Sequence, residues 1–194
     1  MIKAIIFDCF DVLVGDTTKP LARALDVSDP EKAEEFRAVV HAFDKGIIDE
    51  AEAIPLQAAL IGLTPNDLLA RQQEGEVVNK PLLEYAESLK GRFKLGMLSN
   101  ISSRERLDIR FEPGVLDRVF DVVVPSGDVG YIKPQPEIFE LIADRLGVLP
   151  EECLMIDDVI QNCEGARATG MQAVQYISNE QIMTDVNALV DRGE

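Results

Sequence analysis

The stretch AIIFDCFDVLVGD, residues 4–16, opens with a short apolar run that stops at a carboxylate, Asp8. Together with Ile2 and Lys3, the run over 2–7 is rich in β-branched side chains and lacks the alternation of a half-exposed strand. That pattern predicts a strand covered on both faces, as in a parallel sheet. Runs of the same kind recur at FKLGML (93–98), DVVV (121–124), CLMI (153–156) and QAVQYI (172–177). Helical patterns separate them: PLLEYAESL from Pro81, PEIFELIADRLG from Pro136 to Gly147, and VIQNCEGARATG from Val159 to Gly170. Pro at the start and Gly at the end of the second match the usual asymmetry of helix ends.

Alternating strands and helices imply an α/β protein built on a doubly wound, mostly parallel, Rossmann-like sheet, with its sites at the carboxyl ends of the strands. Residues 16–80 break the alternation and read as helices only. PEKAEEFRAVVHAFDKG and DEAEAIPLQAALIG carry apolar residues at helical spacing, and TPNDLLARQQ begins with Thr64 as an N-cap. The expected organisation is therefore an α/β core of residues 1–15 and 81–194 with a small all-helical cap, 16–80, inserted after the first strand. The C-terminal NEQIMTDVNALVDRGE reads as a closing surface helix.

Composition narrows the function. Hydrophobic content of 46% with 28% charged residues over 194 residues is that of a soluble globular chain, and no apolar run is long enough to span a membrane. The N-terminus is too short and wrongly flanked for a signal peptide, so a cytoplasmic location is expected. A net charge of −16 without a basic cluster disfavours nucleic acid and anionic membranes as partners. Cys9, Cys153 and Cys163 lack CxxC spacing and are read as reduced, the last two as structural. Strand alternation turns Cys9 away from Asp8. His41, the only histidine, falls in the helical segment, which leaves no material for a Ser-His-Asp triad or a His-rich metal site.

Polar residues follow the apolar part of four strands: Asp8, Ser99-Asn100, Pro125-Ser126 and Asp157-Asp158. Asp8, Asp157 and Asp158 on one rim suit a hard cation such as Mg²⁺, which takes oxygen ligands and keeps several waters. Lys133, in GYIKPQP, would neutralise an anion beside them, and Ser99 and Asn100 could donate hydrogen bonds to its oxygens. Such a set fits phosphoryl transfer, where positioning and charge neutralisation carry most of the catalysis.

The chain resembles the haloacid dehalogenase-like hydrolase superfamily, in the branch with a small helical cap and sugar-phosphate phosphatase-like members. Four motifs stand in order: IIFDCFDVLV, LGMLSN, GYIKPQPEIF and LMIDDVIQNCEGARATGM, with FDKGIIDEAEAI as a cap phrase. The resemblance implies that Asp8 is the nucleophile that forms an aspartyl-phosphate and also binds Mg²⁺. It implies that Ser99 and Asn100 hold the phosphoryl oxygens and that Lys133 steadies Asp8 and the phosphate. Asp157, Asp158 and the backbone carbonyl of Phe10 would complete the metal site. The implied substrate is a small phosphorylated metabolite, and the implied assembly a monomer or homodimer.

Residue 10 departs from the pattern. Most phosphatases of the family carry a second Asp there, a general acid/base, and Phe10 can do neither job; losing such a group typically costs about 10²–10⁴-fold in rate. Asp11 stands where the family usually has Gly, and Asp tolerates the left-handed backbone. Asp11 is thus a candidate for either a structural or an acid/base role, and Asp16 is a second candidate stand-in. Three readings stay open: a Mg²⁺-dependent phosphatase, a non-catalytic phospho-ligand-binding or interaction protein, and a metal-independent 2-haloacid dehalogenase. Dehalogenases carry Tyr at the position of Phe10, but the Asp157-Asp158 pair argues against that group. Arg23, Arg37, His41 and Lys45 are unranked cap candidates for substrate contact.

Overall fold

The computed structural model describes residues 1–191. Five strands, β1 (Ala4–Phe7), β2 (Lys94–Ser99), β3 (Val122–Pro125), β4 (Cys153–Asp157) and β5 (Gln172–Gln175), form one sheet in the order β3-β2-β1-β4-β5, every pair parallel. Between β1 and β2 lie α1 (Thr18–Ser28), α2 (Pro30–Asp44), α3 (Glu50–Leu60), α4 (Pro65–Gly75) and α5 (Lys80–Ser88). The remaining helices are α6 (Arg104–Asp108), α7 (Val115–Val119), α8 (Pro136–Leu146), α9 (Ile160–Ala168) and α10 (Asn179–Asp191). The expected closing helix over 179–194 is thus present through Asp191, and its last three positions lie outside the described residues. Among the described residues no helix is long and apolar enough to cross a membrane.

The absence of alternation in the strands has its reason in the layers. Ile5, Phe7, Leu95, Met97, Leu154 and Ile156 pack into one cluster with α5 and α10. Their neighbours Ala4, Ile6, Leu98, Cys153 and Met155 pack on the other side with α8 and α9. Successive side chains point to opposite faces, and both faces are covered, so every position must be apolar. Gly96 lets α8 approach closely: a Cβ there would meet Ile142 Cδ1 at 3.0 Å and Leu146 Cδ1 at 3.1 Å.

Strand limits differ from the sequence reading by one to two residues. β1 begins at Ala4 rather than at 2, and β5 ends at Gln175 rather than at 177. β2, β3 and β4 each extend one residue further, into Ser99, Pro125 and Asp157, because pairing with a neighbouring strand continues past the apolar run. The short helices α6 and α7, within 104–119, have too few turns to leave a periodic signal in the sequence.

The insertion leaves and re-enters through a narrow stem. The Gly15 amide donates to Val77 O (3.0 Å), the Asn79 amide to Leu13 O (2.8 Å), and Val14 and Val78 form an antiparallel bridge. Side-chain caps start three of the inserted helices: Asp29 accepts from the Lys32 amide, Asp49 from Glu52 and, as expected, Thr64 from Asp67. Leu25, Ala33 and Phe36 form one small core in this segment, and Ile54, Ala58 and Leu68 another.

Ile6 is fully buried on the central strand. Truncation to Ala leaves a cavity under α8, and Ile6→Ala is expected to lower unfolding free energy by about 2–5 kcal/mol in urea titration.

Candidate active site

Asp8 follows directly on β1, its amide bonded to Ile156 O (2.8 Å), so the central strand and its neighbour aim it at the carboxyl rim. Its Oδ1 accepts from the Cys9 amide (2.6 Å) and meets Lys133 Nζ at 2.6 Å. Lys133 Nζ reaches Asp157 Oδ2 at the same 2.6 Å, and the Lys133 side chain is 1% exposed. One buried ammonium therefore bridges two carboxylates from adjacent strand ends. Burial first, then the neighbouring Asp157, pushes the Asp8 carboxyl up to about 7, while Lys133 and Lys19 oppose the shift. Burial tends to lower the Lys133 pKa, but Asp157 and Asp8 outweigh it and hold the ammonium charged.

Asp157 is held from behind. Its Oδ1 accepts from the Val159 amide (2.9 Å) and Asn162 Nδ2 (2.9 Å). Asp158 turns Oδ2 to Lys19 Nζ (2.7 Å), while its buried Oδ1 has no partner among the described residues. Asp8, Asp157 and Asp158 each offer a carboxylate oxygen, and these oxygens lie within 4.8 Å of one another. An all-oxygen set with one orphaned buried acceptor fits a hard divalent cation. In the turn after β1 the amides of Val12, Leu13 and Val14 donate to Cys9 O and that of Asp11 to Val14 O.

Ser99 and Asn100 end β2 beside this group. The Ser99 hydroxyl is buried without a partner among the described residues. Asn100 uses both amide groups on one residue: Oδ1 accepts from the Lys133 amide (2.8 Å) and Nδ2 donates to Lys133 O (3.1 Å). It thereby fixes the loop that carries Lys133.

The Phe10 ring carries a guanidinium. Arg110 Cζ stands 5.2 Å from the ring centroid, and Arg110 Nη2 pairs with Glu76 Oε2 at 2.7 Å, both side chains under 10% exposed. The aromatic ring thus supports a buried ion pair between the segment after α6 and the end of α4. Asp11 adopts φ 60°, the left-handed geometry expected of it, and its Oδ1 accepts from the Asp16 amide (3.1 Å). Asp16 Oδ1 accepts from the amides of Thr18 (2.6 Å) and Lys19 (3.1 Å), starting α1. Lys19 Nζ lies 3.5 Å from Asp11 and 3.6 Å from Asp16 as well as bonding Asp158. Both candidate stand-ins are therefore engaged with backbone and with Lys19.

Between the insertion and the rim lies a cavity of about 600 Å³. Asp8, Asn100 and Lys133 line it from the core, and Arg37 and His41 from the insertion. Arg23 and Lys45 are not among its lining residues. Sequence reading missed Lys19, Asp44, Glu76, Arg106 and Arg110, which also line it. The four-residue spacing of Arg106 and Arg110 was available as a one-face signal, but nothing in the sequence said which way that face turns. All three cysteines are buried and unpaired, and Cys9 packs in the core beside Ile5 and Phe7, away from the cavity. Burial pushes its thiol far above the ordinary range.

A family model described as a haloacid dehalogenase-like hydrolase matches residues 2–170. The YhcW protein of Bacillus subtilis is 30% identical over 192 residues, covering 90% of this chain and 83% of that one. A phosphorylated carbohydrates phosphatase of Thermotoga maritima is 32% identical over 111 residues, 57% of this chain and 49% of its own length. The chain thus spans about half the length of some of the curated relatives it matches. A family enzyme from Bacteroides thetaiotaomicron, solved with magnesium and inorganic phosphate, shares the fold with a TM-score of 0.72 at 20% identity, over 92% of this chain and 96% of that one. With the family match running from β1 to the end of α9, and the matched strand ends carrying the converging carboxylates, the chain belongs to the haloacid dehalogenase-like hydrolases.

Proposed function

We propose that the protein is a Mg²⁺-dependent phosphatase of small phosphate monoesters, with Asp8 as nucleophile and residues 16–80 as a cap over a core of 1–15 and 81–194. One observation carries the reading: Asp8 sits in contact with a buried Lys133, inside a group of three carboxylates whose oxygens lie within 4.8 Å. The Thermotoga relative's name and the Bacteroides enzyme's magnesium and phosphate support the same chemistry.

In this reading the Asp8 carboxylate attacks phosphorus, giving an aspartyl-phosphate that water then hydrolyses. Asp8, Asp157, Asp158 and the Phe10 carbonyl would hold Mg²⁺, which supplies positive charge for the phosphoryl oxygens and favours the ionised form of Asp8. Lys133 adds a second, fixed positive charge next to the attacking oxygen. The Ser99 hydroxyl, buried and without a partner among the described residues, would donate to a phosphoryl oxygen, and Asn100 contributes by holding the Lys133 backbone. The arrangement needs little reorganisation, because Asn162 and the Val159 amide already orient Asp157. A phosphoryl group bound here would be screened from water by the cap.

The direct test is hydrolysis of p-nitrophenyl phosphate with Mg²⁺, with EDTA, and by Asp8→Asn. Turnover is expected to depend on Mg²⁺ and to fall by at least about 10³-fold in the variant, since the nucleophile is lost. Turnover surviving both changes would overturn the reading. Phosphate binding without turnover on any monoester would favour a non-catalytic phospho-ligand protein, and chloride release from 2-chloropropionate in EDTA a dehalogenase. Lys133→Met leaves Asp8 and Asp157 facing each other without their shared cation. It is expected to destabilise the metal-free protein by about 3–5 kcal/mol at neutral pH, read by urea unfolding.

A further inference from the structure

Four carboxylates line the cavity between the insertion and the rim, and three already have partners. Asp8 holds Lys133, Asp16 starts α1 and faces Lys19, and Glu76 pairs with Arg110. Among the described residues, the fourth, Asp44 at the end of α2, has no hydrogen bond or ion pair through its carboxyl. It belongs to the cap phrase FDKGIIDEAEAI, to which the roles derived so far give no task.

Asp44 is positioned by the core as well as by its own helix. The buried Ser126 hydroxyl, at the end of β3, donates to Asp44 O and accepts from the Ile101 amide at 2.9 Å. Two residues on, Gly46 has φ 71°, and a Cβ there would stand 3.1 Å from Gly127 O. Gly127 in turn is pressed on Ser102, whose carbonyl oxygen would lie 1.9 Å from an added Cβ. Two glycines in register let the end of α2 seat directly on the rim. This contact fixes the carboxyl's backbone relative to Asp8 and not merely relative to the insertion.

An in-line displacement at phosphorus puts the attacking and leaving oxygens on opposite sides. With Asp8 attacking from the sheet, the leaving oxygen faces the insertion, the side from which Asp44 lines the cavity. We propose that Asp44 is the catalytic acid and base of this enzyme, supplying from the cap the proton that Phe10 cannot. The proposal rests on the phosphatase reading of Asp8. As the bond from Asp8 to phosphorus forms and the bond to the leaving oxygen breaks, Asp44 gives that oxygen its proton. In the second half, the Asp44 carboxylate takes a proton from water while the water oxygen bonds phosphorus and the link to Asp8 breaks. One water is consumed, and both carboxyls return to their starting states.

The surroundings suit a carboxyl that begins protonated. Burial, and then the Asp16 carboxylate, raise the Asp44 pKa well above the ordinary carboxylate value, against Arg106 from α6 and Lys133 from the loop. Lys45 and His41 share its end of α2, and Lys19, Glu76 and Arg110 complete the charged lining of the cavity. His41 is a poor alternative donor. Partial burial, Lys45 and Arg37 lower its pKa and so disfavour its protonated form.

The test compares a poor and a good leaving group: β-glycerophosphate and p-nitrophenyl phosphate, each with Mg²⁺, across pH. Asp44→Asn is expected to lower kcat/KM, which reports the steps up to aspartyl-phosphate formation, on β-glycerophosphate by about 10²–10⁴-fold and on p-nitrophenyl phosphate by less than about tenfold, because nitrophenolate leaves without a proton. The wild-type rate on β-glycerophosphate should fall as pH rises through the Asp44 pKa, and this alkaline limb should vanish in Asp44→Asn. Asp44→Glu, which keeps an ionisable carboxyl at longer reach, should keep the limb with a reduced kcat. Parallel losses of kcat/KM on both substrates in Asp44→Asn, or an alkaline limb that persists in Asp44→Asn, would overturn the proposal alone. Absence of wild-type turnover on both esters would overturn the phosphatase reading and this proposal with it.

Discussion

A single ammonium group, Lys133 Nζ, lies 2.6 Å from both Asp8 and Asp157 with almost no access to water. Three buried charges at such separations are unfavourable unless they compensate one another, since each loses its hydration on burial. The site is arranged around that compensation. β1 and β4 are neighbours in the sheet, which brings the two carboxylates together, and the loop before α8 delivers the cation between them. Asn100, from the strand on the other side of β1, ties that loop by two bonds to the Lys133 backbone. Elements distant in the chain thus converge on one rim because the parallel order β2-β1-β4 puts their ends side by side.

A second layer of charge lies above the first. Lys19, in the first turn of α1, meets Asp158 and stands near Asp11 and Asp16, and Arg110 meets Glu76 over the Phe10 ring. Both contacts join the insertion to the core, so the segment that covers the cavity is coupled electrostatically to the residues beneath it. An aromatic face is a surface on which a cation packs, and Arg110 uses it while pairing with the insertion.

Much of the fold was legible before any coordinates. Strands buried on both faces must be continuously apolar, and helices on a sheet must be apolar on one side, so β1, β2 and β4 and helices such as α8 announce themselves by composition and period. The acids of the site were legible for a related reason: Asp8 and Asp157 interrupt or end apolar runs, where a charge is conspicuous. Asp11 was read as tolerant of a left-handed backbone, and it has φ 60°. The parts that stayed hidden sit on elements with weak patterns. Arg106 lies on the five-residue helix α6, Arg110 just beyond it, and Glu76 follows the end of α4. None of these positions differs in sequence from an ordinary solvated charge.

The amino-acid sequence by itself determined the layer architecture, the helical insertion after β1 and the rim on which the carboxylates gather, because local periodicity and the cost of burying charge are written residue by residue. Tertiary structure alone decided which charges pair and which stay free. Asp16 bonds the turn that starts α1, Glu76 finds Arg110, and Asp44, seated on the rim through Ser126 and two glycines, keeps its carboxyl unpaired among the described residues. Pairing depends on distances between side chains separated by tens of residues in the chain. Those distances exist only once the insertion has docked on the sheet.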